Sequence, residues 1–248
     1  TGELEIDLTA PVVGVDALLT NDTTPGLSGT VDDSGAVVSV VVNGQTVSAI
    51  NAGDGTWSVA DGVLDALSEN VYDVSVSVID AAGNVGSDGT TNELEVDLTA
   101  PVVSVDALTT NDTTPSLSGS VDDAAAIVTV SVNGQALAAT NNQDGTWVLA
   151  DDQLSALPSG TFDVSVTAVD PAGNAGSDAT EDELVIDVAG PFVVSSSSSG
   201  DELGVVDRVV LEFSEPVSSS SFGVDDVSLL GPEGVVAVAT VAQVSSTI

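Results

Sequence analysis

The chain has 248 residues, of which 39 are Asp or Glu against a single basic residue, Arg208, giving a formal net charge of -38. With no Lys, His or Cys, it lacks the groups that neutralise nucleic-acid phosphates, hold an anionic membrane surface, close disulfides or ligate soft metals. Apolar residues still make up 42% of it, mostly Val and Ala, so a sheet-type core is available where acidity alone would suggest disorder.

The opening text ELEIDLTAP (Glu3 to Pro11) returns as ELEVDLTAP (Glu93 to Pro101) and, more loosely, as ELVIDVAGP (Glu183 to Pro191). An offset of 90 aligns residues 3–92 with 93–182 without a gap. About three-fifths of the positions are identical, the mark of an internal repeat. The shared landmarks are VDAL (Val15, Val105), TNDTTP (Thr20, Thr110), VDD (Val31, Val121), VNGQ (Val42, Val132), DGTW (Asp54, Asp144) and D-x-AGN (Asp80, Asp170). After Pro191 the match stops. The expected division is a first repeat over 1–98, a second over 99–188, and a divergent, incomplete module over 189–248. The absence of Met predicts a piece of a longer protein, and no apolar run approaches the length of a membrane-spanning helix.

Within the first repeat, alternation and turn residues predict strands near 12–18, 26–31, 37–43, 45–50, 56–60, 71–80 and 91–97. Asn43-Gly44 between VVSVVV and QTVSAI predicts a two-residue hairpin, because both residues tolerate positive φ. VYDVSVSVID alternates Val with polar residues, which gives one packed and one wet face. Nothing carries a sustained helical period. The expected fold is all-β: tandem immunoglobulin-like sandwiches arranged end to end. Trp57 and Trp147, at the same place in both copies, are expected in the core rather than as sugar-stacking platforms. Asn21-Asp22-Thr23 and its counterpart Asn111-Asp112-Thr113 match a glycosylation sequon and are expected to form Asx turns instead. The serine runs Ser195–Ser199 and Ser218–Ser221 abut strand-like text and predict polar strand edges or turns.

Alternating strand direction places the aspartates. If the first strand starts at the top, the loops over 32–36, 51–55 and 81–89 also lie at the top. Asp7, Asp32, Asp33 and Asp80 are then gathered at one pole of the first repeat, with Asn84 and Asp88 in the same loops. Asp97, Asp122, Asp123 and Asp170 are gathered in the second, with Asn174 and Asp178, and Asp187 takes the matching place at the next joint. Glu95 on the departing strand, or Asn21 and Asp22 from the preceding bottom loop, could join them, and the period of two puts Glu93, Glu95 and Asp97 on one face of that strand. Such a cluster repels itself unless a counter-charge is present, and no basic side chain is on hand. All the donors are oxygens, which suits Ca²⁺.

In this order, DLTAP, VDD, NGQ, DGTW and D-x-AGN resemble the tandem bacterial immunoglobulin-like repeats of large surface adhesins. Those include the biofilm-associated proteins and the extender regions of RTX adhesins. The FSEPV text (Phe213 to Val217) resembles a second class of bacterial Ig-like domain. The resemblance implies a calcium-stiffened, monomeric, extracellular rod at a bacterial cell surface, whose partners are neighbouring repeats of the same chain. It implies neither nucleic-acid binding nor membrane insertion. An enzyme is not expected, because a glycosidase-type carboxylate pair would need a cleft with aromatic sugar contacts. The alternative is an Ig-like ligand-binding module that recognises carbohydrate or a partner cell surface.

Overall fold

The computed structural model describes residues 6–178, 180–200, 206–218, 222–231, 234–238 and 240–242. The chain divides into two compact units, Thr1–Asp187 and Val188–Ile248.

The first unit holds both repeats, each with its own core. Repeat one contains β1 (Val13–Val15), β2 (Leu18–Thr20), β3 (Leu27–Val31), β4 (Val37–Val42), β5 (Gln45–Ser48) and β6 (Ile50–Asn51). It continues with β7 (Thr56–Val59), β8 (Asn70–Tyr72), β9 (Val74–Ile79), β10 (Val85–Ser87) and β11 (Leu94–Val96). Their sheet orders are β1-β3-β7-β6, β10-β9-β4-β5 and β2-β11-β8, which together enclose a sandwich. Antiparallel pairing dominates, and β11 alone in this repeat runs parallel to its neighbour β2. Strand β4 alternates buried Val38, Val40 and Val42 with outward residues, and β9 does the same with Val74, Val76 and Val78. The period of two therefore builds the inner layer.

Repeat two has β12 (Leu108–Thr110), β13 (Leu117–Ser120), β14 (Ile127–Val132), β15 (Gln135–Ala138) and β16 (Thr140–Asn141). It is completed by β17 (Thr146–Leu149), β18 (Gly160–Phe162), β19 (Val164–Val169), β20 (Ala175–Ser177) and β21 (Leu184–Ile186). The same pairings recur, and the counterpart of β1 is reduced to a single bridge from Val103 to Val121. The Asn-Gly hairpins form as expected, with φ of 47° and 78° at Asn43 and Gly44, and 47° and 77° at Asn133 and Gly134.

Three expected strands are in fact broken. The first divides into β1 and β2, which belong to different sheets; the 45–50 segment divides at Ala49, and the 71–80 segment at Asp73. At each break the chain passes from one sheet of the sandwich to the other, a crossing that local alternation does not reveal. A further short strand, β10, lies inside the segment read as a top loop and pairs back on β9.

Trp57 and Trp147 are 1% and 0% exposed. Each indole N–H donates to a backbone carbonyl, Gly14 at 3.0 Å and Ser104 at 2.9 Å. Gly29 and Gly119, directly across the ladder, make room for the rings. A Cβ at Gly29 would stand 2.1 Å from the Gly14 carbonyl oxygen and 2.7 Å from the indole, and one at Gly119 would stand 1.9 Å from that of Ser104.

The second unit is built around one hairpin, β22 (Val193–Gly200) and β23 (Val206–Phe213). A 3₁₀ turn at Val224–Asp226 and a small hairpin of β24 (Leu229–Gly231) and β25 (Gly234–Val236) follow. Ser195–Ser199 lie in β22 as polar strand residues, while Ser219–Ser221 lie outside the described residues. No described residue of this unit is buried, and its main aromatic contact is edge-to-face, Phe213 on Phe222 at 5.3 Å.

Candidate functional site

The acidic pole of repeat one is assembled by the folded loops. Asp7, Asp32, Asp33 and Asp80 line one open depression together with Thr9, Ala10, Pro11 and Ser34. The loops hold Asp7, Asp32 and Asp33 by one carboxylate oxygen each and Asp80 by both. Asp7 Oδ1 accepts from Thr9 N at 2.9 Å, Asp32 Oδ1 from Val12 N at 2.7 Å, and Asp33 Oδ1 from Gly35 N at 2.8 Å. Asp80 is buried, and its carboxylate takes the Asn84 amide N–H at 2.8 Å and the Asn84 side chain at 2.7 Å. The Asn84 side chain leads the interactions that hold the Asp80 carboxyl below its usual range; burial opposes it, and nearby amide N–H groups assist.

Repeat two reproduces this at the joint between the repeats. Asp122 Oδ1 accepts from Val102 N at 2.7 Å and Asp123 Oδ1 from Ala125 N at 2.7 Å. Asp97 Oδ1 accepts from Thr99 N at 2.9 Å and so bends the linker in an Asx turn. Asn174 Nδ2 donates both to the Asp97 carbonyl, at 2.9 Å, and to Asp170 Oδ2, at 2.9 Å. Asp170 is buried; desolvation raises its pKa, but hydrogen bonds from Asn174, Gly173 and Ala172 outweigh this and leave it lowered.

The bottom loop of repeat one also enters the joint. Asn21 N donates to the Ala172 carbonyl at 3.1 Å, and a Cβ on Gly173 would lie 3.4 Å from the Asn21 side chain. Thr99 Oγ1 contacts both Glu69 oxygens, at 3.0 and 2.9 Å, tying the linker to repeat one. Asp22 forms the expected Asx turn, its Oδ1 accepting from Thr24 N at 2.9 Å, and Asp112 repeats it with Thr114.

The carboxylate and carbonyl oxygens at this joint are the donor chemistry that a hard divalent cation takes. Among the described residues, however, no three acidic side chains converge closely enough to hold a metal ion. The local amide contacts orient the aspartates as turn formers first. Asp187 lies at the far end of repeat two, its N–H on the Thr110 carbonyl at 2.9 Å, as Asp97 lies on Thr20.

Two expectations need correction. Asp88 and Asp178 are not at the pole: their N–H groups pair with the Val76 and Val166 carbonyls, partway down the sandwich beyond β10 and β20. Glu93, Glu95 and Asp97 do not share one exposed face, because Glu93 turns inward and is 6% exposed, as is Glu183. Each inward oxygen answers the amide left at the sheet switch: Glu93 Oε2 accepts from Val74 N and Glu183 Oε2 from Val164 N, both at 3.0 Å. Sequence reasoning missed this role. The one available signal was the unvaried Glu at the head of each linker motif.

A family model described as a bacterial Ig-like domain matches residues 13–98 and again 102–188. The chain belongs to the bacterial Ig-like domain family. No curated protein matches it. Among solved structures it is similar to part of a 1.5-MDa bacterial ice-binding adhesin, at 24% identity over 73% of this chain and 67% of that one, with a TM-score of 0.40. A tetra-tandem repeat from the extending region of a large adhesion protein matches at 22% identity over 96% and 67%, TM-score 0.33. Fibronectin(III)-like modules of Clostridium thermocellum CbhA match at 11% identity over 70% and 93%, TM-score 0.42. Among the described residues no helix is long and apolar enough to cross a membrane.

Proposed function

We propose that this chain is an extender segment of a bacterial cell-surface adhesin, whose joints calcium stiffens so that an adhesive region is held away from the cell. The observation that carries this reading is the joint itself. A linker aspartate, Asp97, is held between repeats by Asn174 through its carbonyl, beside the ionised carboxylate of Asp170, and Asp122 holds the Val102 amide just past the linker. The same residues recur at the head of repeat one, where Asp7, Asp32, Asp33 and Asp80 share a depression. A joint repeated in register suits spacing more than recognition, and buried Trp57 and Trp147 offer no stacking platform for a sugar.

At the joint, Asp97, Asp122, Asp123 and Asp170 would hold the ion, with the bound Ca²⁺ supplying the positive charge that the basic-poor repeats do not. A cation bound only by the folded joint raises thermal stability with its concentration. Melting the chain in a calcium series and in chelator tests this. The expected result is a melting temperature that climbs with millimolar calcium and a climb that Asp97→Asn with Asp170→Asn reduces; a melting curve indifferent to calcium refutes it.

A further inference from the structure

A carboxylate oxygen sealed from water inside a protein demands a partner, because an ionised group without one bears its full desolvation cost. Glu93 Oε1 and Glu183 Oε1 are buried, and no hydrogen bond reaches either. This occurs independently in both repeats, at the same position of the same motif, while the other oxygen is fixed on a backbone amide.

The loop that runs past them is oxygen-rich: the Asp88 N–H is on the Val76 carbonyl and Glu93 Oε2 on the Val74 amide, two residues apart on β9, and Asp178 and Glu183 stand likewise on Val166 and Val164 of β19. In repeat one Asn92 adopts a left-handed φ of 65°, donates its N–H to Asp73 Oδ1 at 2.8 Å, and so swings Glu93 inward. Asp182 makes the same turn, φ 65°, onto Asp163 Oδ1 at 2.9 Å, ahead of Glu183. The preceding loop carries Asp88 and Thr90: Thr90 N donates to Asp88 Oδ2 at 3.1 Å, and its hydroxyl donates to the same oxygen. In repeat two the Thr180 hydroxyl donates to Asp178 Oδ2 and also stands close enough to stabilise the Glu183 carboxylate. Burial pushes the Glu183 carboxyl up, yet the Thr180 hydroxyl and the Val164 amide outweigh it and keep the group ionised. Asp88 and Asp178 are half-buried and Thr90 and Thr180 exposed.

We infer that each repeat carries a second cation site inside its own sandwich, formed by Asp88, Thr90 and the unpartnered Glu93 Oε1, and repeated as Asp178, Thr180 and Glu183 Oε1. Two carboxylates and a hydroxyl, with water completing the shell, suit a hard divalent ion, and calcium is the ion chosen by the loose, all-oxygen geometry. The repeats contain no Lys or Arg that could supply the charge instead. This site lies within one repeat, away from the aspartates of the joint, and does not depend on the joint binding calcium.

The test is equilibrium dialysis of the full chain against calcium, counting ions bound per chain. Glu93→Gln with Glu183→Gln keeps the shape and the possibility of a hydrogen bond while removing the charge; it is expected to lose one calcium for each repeat altered. Asp88→Asn with Asp178→Asn changes only the rim, so it tests the same site if the buried substitution impairs folding, and the same loss is expected. Asp97→Asn with Asp170→Asn is expected to keep the ions that these variants lose, which separates this site from the joint. Calcium binding by both the buried and the rim variants equal to that of the unaltered chain overturns the inference, and so does an intact calcium count in the rim variant when the buried one does not fold.

Discussion

Asn174 holds the Asp97 carbonyl with one N–H and Asp170 Oδ2 with the other, each at 2.9 Å, so a single amide couples the linker to the buried acid of repeat two. Asn84 makes the same pair of contacts to Asp7 and Asp80 at 3.2 and 2.7 Å. A carboxamide is the one uncharged side chain that can donate twice from one nitrogen, which accounts for Asn at the end of the D-x-AGN motif.

Replacing Asn174 by Ala removes both bonds and leaves a buried carboxylate short of a donor. The expected cost is about 1–3 kcal/mol in the stability of repeat two. Urea unfolding followed through Trp147 measures it, and Asn174→Asp, which adds charge instead of a donor, should be at least as damaging.

Emptying the tryptophan sites should cost more. Trp57→Ala and Trp147→Ala are each expected to destabilise their repeat by about 3–5 kcal/mol. Gly29→Ala and Gly119→Ala should also destabilise, since the added methyl would meet a carbonyl oxygen at 2.1 or 1.9 Å. Denaturant midpoints of the four variants give the comparison, and native-like midpoints for the glycine variants would show that the ladder can yield there.

Acid should weaken both repeats. Asp80, Asp170 and Glu183 have pKa values lowered in the folded protein, so the stability each contributes is complete above its unfolded value and disappears as pH falls through the folded one. The loss is therefore expected from about pH 4 downward, where carboxyl groups of the unfolded chain begin to protonate. Asp151 acts in the opposite sense: burial, with Asp112 and Asp152 nearby, raises its pKa, so protonating it relieves repulsion. Unfolding free energies between pH 7 and pH 3 should fall, and Asn84→Ala with Asn174→Ala should flatten the fall.

Much of the fold was legible because its signals are local. Alternating valines in VYDVSVSVID, Asn-Gly at the hairpins and a tryptophan at the head of an inner strand each act within a few residues. The polar site was legible to the extent that strand direction alone assigns loops to poles, and so Asp7, Asp32, Asp33 and Asp80 do share a depression. What was hidden depends on partners distant in the chain. The switch of sheets at Asp73 is visible only once β8 pairs with β11 and β9 with β4. The inward turn of Glu93 follows from that switch, since its carboxylate serves the amide exposed there, and period-two reading placed it on the wrong face. Gly29 and Gly119 carry no signal in the local sequence; the indole across the ladder gives the reason for each.

The claim that calcium stiffens the joint is tested most directly by the spread of distances between the repeats. The chain has no cysteine, so Ser58→Cys and Thr129→Cys, both at exposed positions, place one spin label on each repeat. Pulsed electron–electron resonance on the full chain then reads the distribution of label separations in chelator and in millimolar calcium. The account predicts a broad distribution in chelator that narrows sharply with calcium, and no narrowing once Asp97→Asn and Asp170→Asn are added. A distribution of the same width in chelator and in calcium would contradict it.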